Sequence, residues 1–243
     1  MDLREKNLLV TGGSRGLGRA IAEEAARRGA KVVLVARGAE ALDEVVRQIR
    51  AAGGEAHALS ADVADKDATY RIAGAAAALV GPIDVLIHAA SALGPTPLPL
   101  LLDTACEDLG AVLETNVVGP FRLTKAIAGS MALRGEGAIV AISSDAATNA
   151  YPRWGAYGAS KAAFDHLSRV LAAELEGTGV RVLIVDPGEM DTQMHRDAFG
   201  KDHDPSTLAR PETVARKIVA MIADERRAPS GTRLEAPQFS EVS

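Results

Sequence analysis

A chain of 243 residues, 47% of them hydrophobic, is long enough to bury a large core, and a net charge of −5 without a basic cluster argues against nucleic acid or an anionic membrane as the main partner. An anionic ligand therefore has to be held by local geometry. One cysteine, Cys106, excludes an internal disulfide, the opening MDLREKN lacks the apolar stretch of a signal peptide, and no apolar run approaches the roughly 20 residues that cross a bilayer, so a cytoplasmic protein is expected.

The first predicted strand, NLLV, runs into a turn containing Gly12, Gly13, Gly16 and Gly18, after which Leu17, Ile21 and Ala25 recur at helical spacing. KVVLVAR (31–37) is a β-branched run of the kind buried on both faces of a parallel sheet. A helix over 39–52 ends at Gly53 and Gly54. Next come a strand over 55–63 with Asp62 at its end, an alanine-rich helix over 65–80 and a strand over 84–90. The loop 91–103 carries three prolines and cannot be regular throughout. One long helix over about 104–133, a strand over 137–143, a helix carrying Tyr157 to about residue 176 and a strand over 180–186 follow. Pro187 and Gly188 then break the pattern, and the polar segment 189–210 is long enough to be a lid or substrate loop. A helix over 211–223, with Val214, Ile218 and Ile222 on one face, precedes a short, weak edge strand in SGTRLEAPQF. Strands alternating with helices predict βαβ units, hence a parallel sheet with helices on both sides, and nothing in the middle reads as a linker.

Within this frame, Tyr157 and Lys161 stand four apart on one helix, which puts a phenol and an ammonium on the same face one turn apart. A phenol with a pKa of roughly 10 is a poor acid or base at neutral pH, and a neighbouring cation favours its ionised form. Ser144 precedes Tyr157 by thirteen residues. Glycines in the first turn let the backbone approach a pyrophosphate, and the helix N-terminus after them supplies N–H donors and a positive dipole end. The Thr-Gly-x-x-x-Gly-x-Gly turn, in order with Ser144, Tyr157 and Lys161, resembles the short-chain dehydrogenase/reductase family of the single-domain kind, over nearly the whole chain. The resemblance implies an α/β fold over 1–243, a Rossmann-like doubly wound parallel sheet of about seven strands with helices on both faces.

It also implies a catalytic set of Asn116, Ser144, Tyr157 and Lys161, all present here. In the family, tyrosine passes a proton to a carbonyl oxygen as nicotinamide delivers hydride to the carbon, and serine holds that oxygen. Lysine binds the nicotinamide ribose and lowers the tyrosine pKa, and asparagine holds a water. Dinucleotide contacts are implied at Gly12, Ser14, Arg15, Gly16, Leu17, Gly18, Arg37, Asp62, Val63, Ala89, Ala90, Tyr157, Lys161, Pro187, Gly188 and Thr192. The second strand ends in Ala36 and Arg37 where NAD-preferring enzymes place an acid. Arg37 and Arg15, two guanidiniums with no opposing acid, therefore predict NADP(H) over NAD(H) by roughly a hundredfold. The chain departs from the family where Asn-Asn-Ala-Gly is replaced by His88-Ala89-Ala90-Ser91, and His88 is expected to be buried and satisfied by backbone.

The expected activity is NADPH-dependent carbonyl reduction or alcohol oxidation on a small molecule, and the alternative is a dinucleotide-binding sensor or scaffold without turnover. Tyr151 is a rival phenol without a lysine one turn later, and His195-Arg196-Asp197 mimics a kinase tripeptide by coincidence. Asp202, His203 and Asp204 are expected to be solvated, and no metal site is expected. Glu189 either faces the substrate side of the nicotinamide or turns to solvent or pins its own loop. Apolar, alanine-rich faces on the helices after residues 104 and 157 are the family's usual dimer surface, so a homodimer or homotetramer is expected.

Overall fold

The computed structural model describes residues 1–240. Seven parallel strands form one sheet in the order β3-β2-β1-β4-β5-β6-β7: β1 (Asn7–Thr11), β2 (Lys31–Ala36), β3 (Glu55–Ser60), β4 (Val85–His88), β5 (Gly137–Ile142), β6 (Val180–Asp186) and β7 (Arg233–Glu235). The central strands are β-branched and leucine-rich because both faces are covered; Leu8, Leu9, Val33, Leu34, Leu86 and Ile87 have no exposed surface.

Helices α1 (Gly16–Arg27), α2 (Ala39–Ala51) and α8 (Pro211–Ala223) pack on one face around Ile21, Val45 and Ile218. On the other lie α3 (Thr69–Val80), α5 (Gly119–Arg134) and α6 (Gly155–Glu174), around Ile72, Leu123, Met131 and Ala172. Each large aliphatic side chain buried in these two layers contributes about 1.5–3 kcal/mol. The order of winding reverses between β1 and β4. The loops leaving those two strands therefore diverge and open a crevice at the carboxyl edge of the sheet.

Several elements differ from the expectations. The long helix over 104–133 is three pieces: α4 (Cys106–Leu113), a π-helical turn (Glu114–Val118) and α5. The third strand stops at Ser60, which leaves Asp62 and Val63 in the loop beyond it. The segment 189–210 contains a short helix α7 (Gln193–Phe199) and is pinched at its base by a parallel bridge, Met190 to Ala209. The weak tail strand exists and pairs in parallel with β6, Asp186 opposite Glu235.

Candidate active site

β1 ends in Thr11, and the chain turns back into α1 against the end of β4. Gly12 has φ +71°, and a Cβ there would lie 2.7 Å from the Ala90 nitrogen; a Cβ on Gly18 would lie 2.4 Å from the Gly12 oxygen. Backbone thus meets backbone where a side chain would intrude. Thr11 fastens the crossing, its hydroxyl donating to the Ile87 carbonyl (3.3 Å) and accepting from the Ala90 N–H (3.2 Å). Leu17 is buried beneath the turn, Ser14 and Gly16 are half-buried and Arg15 is exposed. Helix α1 begins with no side-chain cap and no acid in its first turn, so its N–H groups and positive dipole end can take an anion. This cradle has the donors and the room that a pyrophosphate needs.

Of the other residues expected to meet a dinucleotide, Ala89 and Ala90 line the crossing just described. Val63 is buried with its carbonyl against α5, where a Cβ on Gly119 would lie 2.3 Å away. Pro187 is buried, and Gly188 donates its N–H to Asp186 Oδ1 at 3.0 Å. Thr192 caps α7, accepting from the His195 N–H at 3.2 Å, and its Cγ2 would lie 3.6 Å from a Cβ on Gly16, which brings the start of α7 to the glycine turn. One expectation is corrected: Arg37 is not free of an opposing acid. Arg37 Nη1 stands 3.9 Å from Asp62 Oδ2, although with Arg37 79% exposed the pair is weak.

The four residues expected to be catalytic come together on the same edge. Tyr157 and Lys161 share a face of α6 and are 8% and 4% exposed. Lys161 Nζ donates to the Ile142 carbonyl at 2.9 Å, and burial pushes its pKa down to about 8, against the pull of Asp165 and Asp186. Burial pushes Tyr157 up to about 12, and hydrogen bonding with Ser144 and Ser91 offsets part of that rise. The lowering expected from Lys161 therefore does not prevail, and at neutral pH the phenol keeps its proton. Ser144 Oγ donates to Asp145 Oδ1 (3.1 Å) and accepts from the Ala146 N–H (3.2 Å).

Asn116 sits in the π turn, a distortion that recurs at functional sites. Its side chain is fully engaged. Oδ1 accepts from the Ala92 N–H (2.8 Å) and the Ser91 hydroxyl (3.3 Å), and Nδ2 donates to the Ala92 carbonyl and Ser160 Oγ, both at 2.9 Å. Asn116 thereby ties the loop after β4 to α6.

Ser91 is a residue that sequence reasoning noted only as a departure from the family pattern, and its place beside the phenol could have been suspected from a hydroxyl standing where that pattern has glycine. His88 is buried as expected, but its partner is a side chain: Nε2 bonds Thr124 Oγ1 at 2.8 Å, and Nδ1 has no partner. Tyr151 donates to Asp145 Oδ2 at 2.8 Å. Glu189 is exposed, and its carboxylate stands 3.9 Å from His195 Nε2, beyond hydrogen-bond distance. The expectation of a solvated Asp202-His203-Asp204 fails at His203. That ring is 9% exposed, bonds His195 Nδ1 to Nδ1 at 2.8 Å and lies 3.2 Å from Asp191. Beside Tyr157 an apolar wall is built from Leu93, Leu98, Ala146, Trp154, Met194 and Ala198, with the Trp154 ring edge-on to the phenol at 5.6 Å.

Known proteins resemble this chain in sequence and fold. A solved short chain dehydrogenase of Burkholderia cenocepacia J2315, in complex with NADP, superposes with a TM-score of 0.82 at 34% identity, covering 97% of each chain. A short chain dehydrogenase of Pseudocercospora fijiensis is 37% identical over 93% of this chain and 71% of its own length. The D-threitol dehydrogenase of Mycolicibacterium smegmatis is 34% identical over 90% of this chain and 86% of its own length. Residues 6–202 match the model of the short chain dehydrogenase family, and with the seven-stranded parallel sheet and the residues above, the chain belongs to that family of oxidoreductases.

Proposed function

We propose that the protein is an NADPH-dependent carbonyl reductase, able to run in reverse as an alcohol dehydrogenase, folded as one domain over 1–243 with a lid at about 189–210. The observation that carries this reading is a buried Tyr157 beside Lys161 and Ser144, on the same sheet edge as a glycine cradle fitted to pyrophosphate. A bound reduced nicotinamide supplies the hydride. Gly12, Ser14, Gly16, Leu17 and Gly18 with the start of α1 hold the pyrophosphate. Arg15 and Arg37 would meet the 2′-phosphate, Asp62 and Val63 would hold the adenine, and Ala89, Ala90, Lys161, Pro187, Gly188 and Thr192 would hold the nicotinamide end. The NADP in the Burkholderia complex supports the choice of cofactor.

In the reaction, Ser144 holds the carbonyl oxygen, and Tyr157 gives it a proton as negative charge develops there. Because burial keeps the phenol protonated, the resting site is set for reduction; oxidation needs the phenolate and gains as pH rises. Lys161, charged below about pH 8, favours the tyrosinate left behind. The wall of Leu93, Leu98, Trp154 and Met194 suits a carbonyl compound with an apolar substituent. The enzyme is read as cytoplasmic and as a homodimer or homotetramer, which is supported by exposed Phe121 on α5 and Leu167 and Val170 on α6. NADPH consumption against a panel of aliphatic and aromatic aldehydes and ketones tests the reading: saturable turnover of at least one supports it, and none across the panel, with NADPH bound, sinks it.

A further inference from the structure

The tail strand β7 brings one long cation into the ground beneath the site. Arg233 Nη2 donates to Asp186 Oδ2 at 2.8 Å and to the backbone carbonyl of Ser144 at 2.9 Å, and its Nε lies 3.4 Å from Asp165 Oδ2. Each partner belongs to a different segment. Asp165 is on α6, one turn beyond Lys161 and two beyond Tyr157. Asp186 ends β6, and its other oxygen accepts the Gly188 N–H of the turn that follows. Ser144 leaves β5, and Ser143 beside it donates to Asp165 Oδ2 at 2.7 Å.

Stability alone gives a poor account of this cluster. Asp165, Asp186 and Arg233 are 3%, 9% and 15% exposed, and desolvation offsets much of the attraction between buried ions. Asp165 Oδ1 and Arg233 Nε have no hydrogen-bond partner among the described residues, a cost that apolar residues of similar size would avoid. What the cluster does uniquely is join three segments that carry the proposed chemistry, and set two carboxylates and a guanidinium around Lys161.

We propose that Arg233 is a positioning residue: it holds the Ser144 backbone against the helix that presents Tyr157 and Lys161, and with Asp165 and Asp186 it fixes the charge around Lys161. This rests on the reading of the site as a carbonyl reductase. The groups facing Lys161 are the Ile142 carbonyl from β5, Tyr157 and Asp165 from α6, Asp186 from β6 and buried, neutral His88 from β4; Arg233 approaches from β7 through the two carboxylates. Asp165 pulls the Lys161 pKa up against burial, and burial raises the Asp165 pKa in turn, opposed first by the Ser143 hydrogen bond and then by the Arg233 charge.

The test uses Arg233→Gln, Arg233→Lys and Asp165→Asn in the full-length protein, with two readouts. In NADPH-dependent carbonyl reduction, Arg233→Gln should lower kcat by roughly 10- to 100-fold through misplacement of Ser144, while the KM for NADPH stays within about twofold. Arg233→Lys, which keeps charge but not the fork, should recover part of the loss. The second readout is the titration of Lys161, followed by NMR of 13Cε-labelled lysine with Lys161→Met identifying the signal. Asp165→Asn should move it to lower pH. The titration needs no substrate, so it reads this proposal even if the wild type turns over no carbonyl, an outcome that would count against the proposed function alone. If Arg233→Gln fails to fold, Arg233→Lys decides, since it keeps the charge but cannot reach both the Ser144 carbonyl and Asp186, and its kcat should still fall. A wild-type kcat in Arg233→Gln, or an unmoved Lys161 titration in Asp165→Asn, with only the melting temperature lowered, overturns it.

Discussion

Lys161 Nζ lies 5.5 Å from the centre of the Tyr157 ring, yet it donates to the Ile142 carbonyl at 2.9 Å and leaves the phenol to Ser144 and Ser91. The two groups are pushed in opposite directions by the same burial, the phenol up to about 12 and the ammonium down to about 8. Both consequences can be measured.

The first is a pH profile. Below about pH 8 Lys161 carries its charge, and as pH rises through that value the charge is lost while Tyr157 is still protonated. The rate constant kcat/KM for carbonyl reduction should therefore hold level at neutral pH and fall above about 8. A profile flat to pH 10 would remove Lys161 from the chemistry.

Global stability should fall in acid because of His88. Its folded pKa is depressed to about 3 by burial first and by the Lys161 charge second, below the unfolded value of 6.5. A depressed folded pKa means that this contribution is present above 6.5 and is lost as pH falls towards 3, at about 1.4 kcal/mol per pH unit. His88→Gln should flatten the dependence of the urea midpoint on pH between 6.5 and 4, and an unchanged slope would contradict it. Thr124→Val, which strands the Nε2 bond, should cost about 1–3 kcal/mol.

The glycine cradle predicts a loss of dinucleotide binding with little room for compensation. A Cβ on Gly18 would fall 2.4 Å from the Gly12 oxygen, backbone that cannot swing aside. Gly18→Ala should weaken NADPH binding by at least about tenfold and lower stability by about 1–3 kcal/mol, as overpacking does. Calorimetric titration with wild-type affinity would refute the assignment.

Cofactor choice should be less extreme than two unopposed arginines would give. Arg37 is 79% exposed with Asp62 3.9 Å away, so its hydrogen bonds to a 2′-phosphate are discounted and part of its charge is already met. The wild type should prefer NADPH by about tenfold, worth about 1.4 kcal/mol, rather than a hundredfold. The double variant Ala36→Asp, Arg37→Leu should turn that preference towards NADH. Equal kcat/KM with both cofactors in the wild type would sink the preference.

The sheet was legible because its central strands are buried on both faces and read as unbroken apolar runs, and the cradle because only glycine permits the Gly12–Gly18 approach. Tyr157 and Lys161 were legible as an i,i+4 pair, a local relationship. Features set by distant partners were not. Nothing in Glu-Thr-Asn-Val-Val marks a change from α to π winding. The Thr124 partner of His88 lies on α5, 36 residues away, and the lid histidines meet only because α7 folds back. Arg233 reads as one more charge in a weak strand until β7 docks beside β6.

The central claim is that Tyr157 donates the proton in a dinucleotide-binding oxidoreductase, and Tyr157→Phe tests it most directly, with NADPH binding and carbonyl reduction measured on the same preparation. Removing a positioned general acid should lower kcat by at least about a hundredfold, while the Kd for NADPH stays within about threefold, since the phenol stands apart from the glycine cradle. A variant that binds NADPH and keeps more than about a tenth of the wild-type kcat would contradict the account.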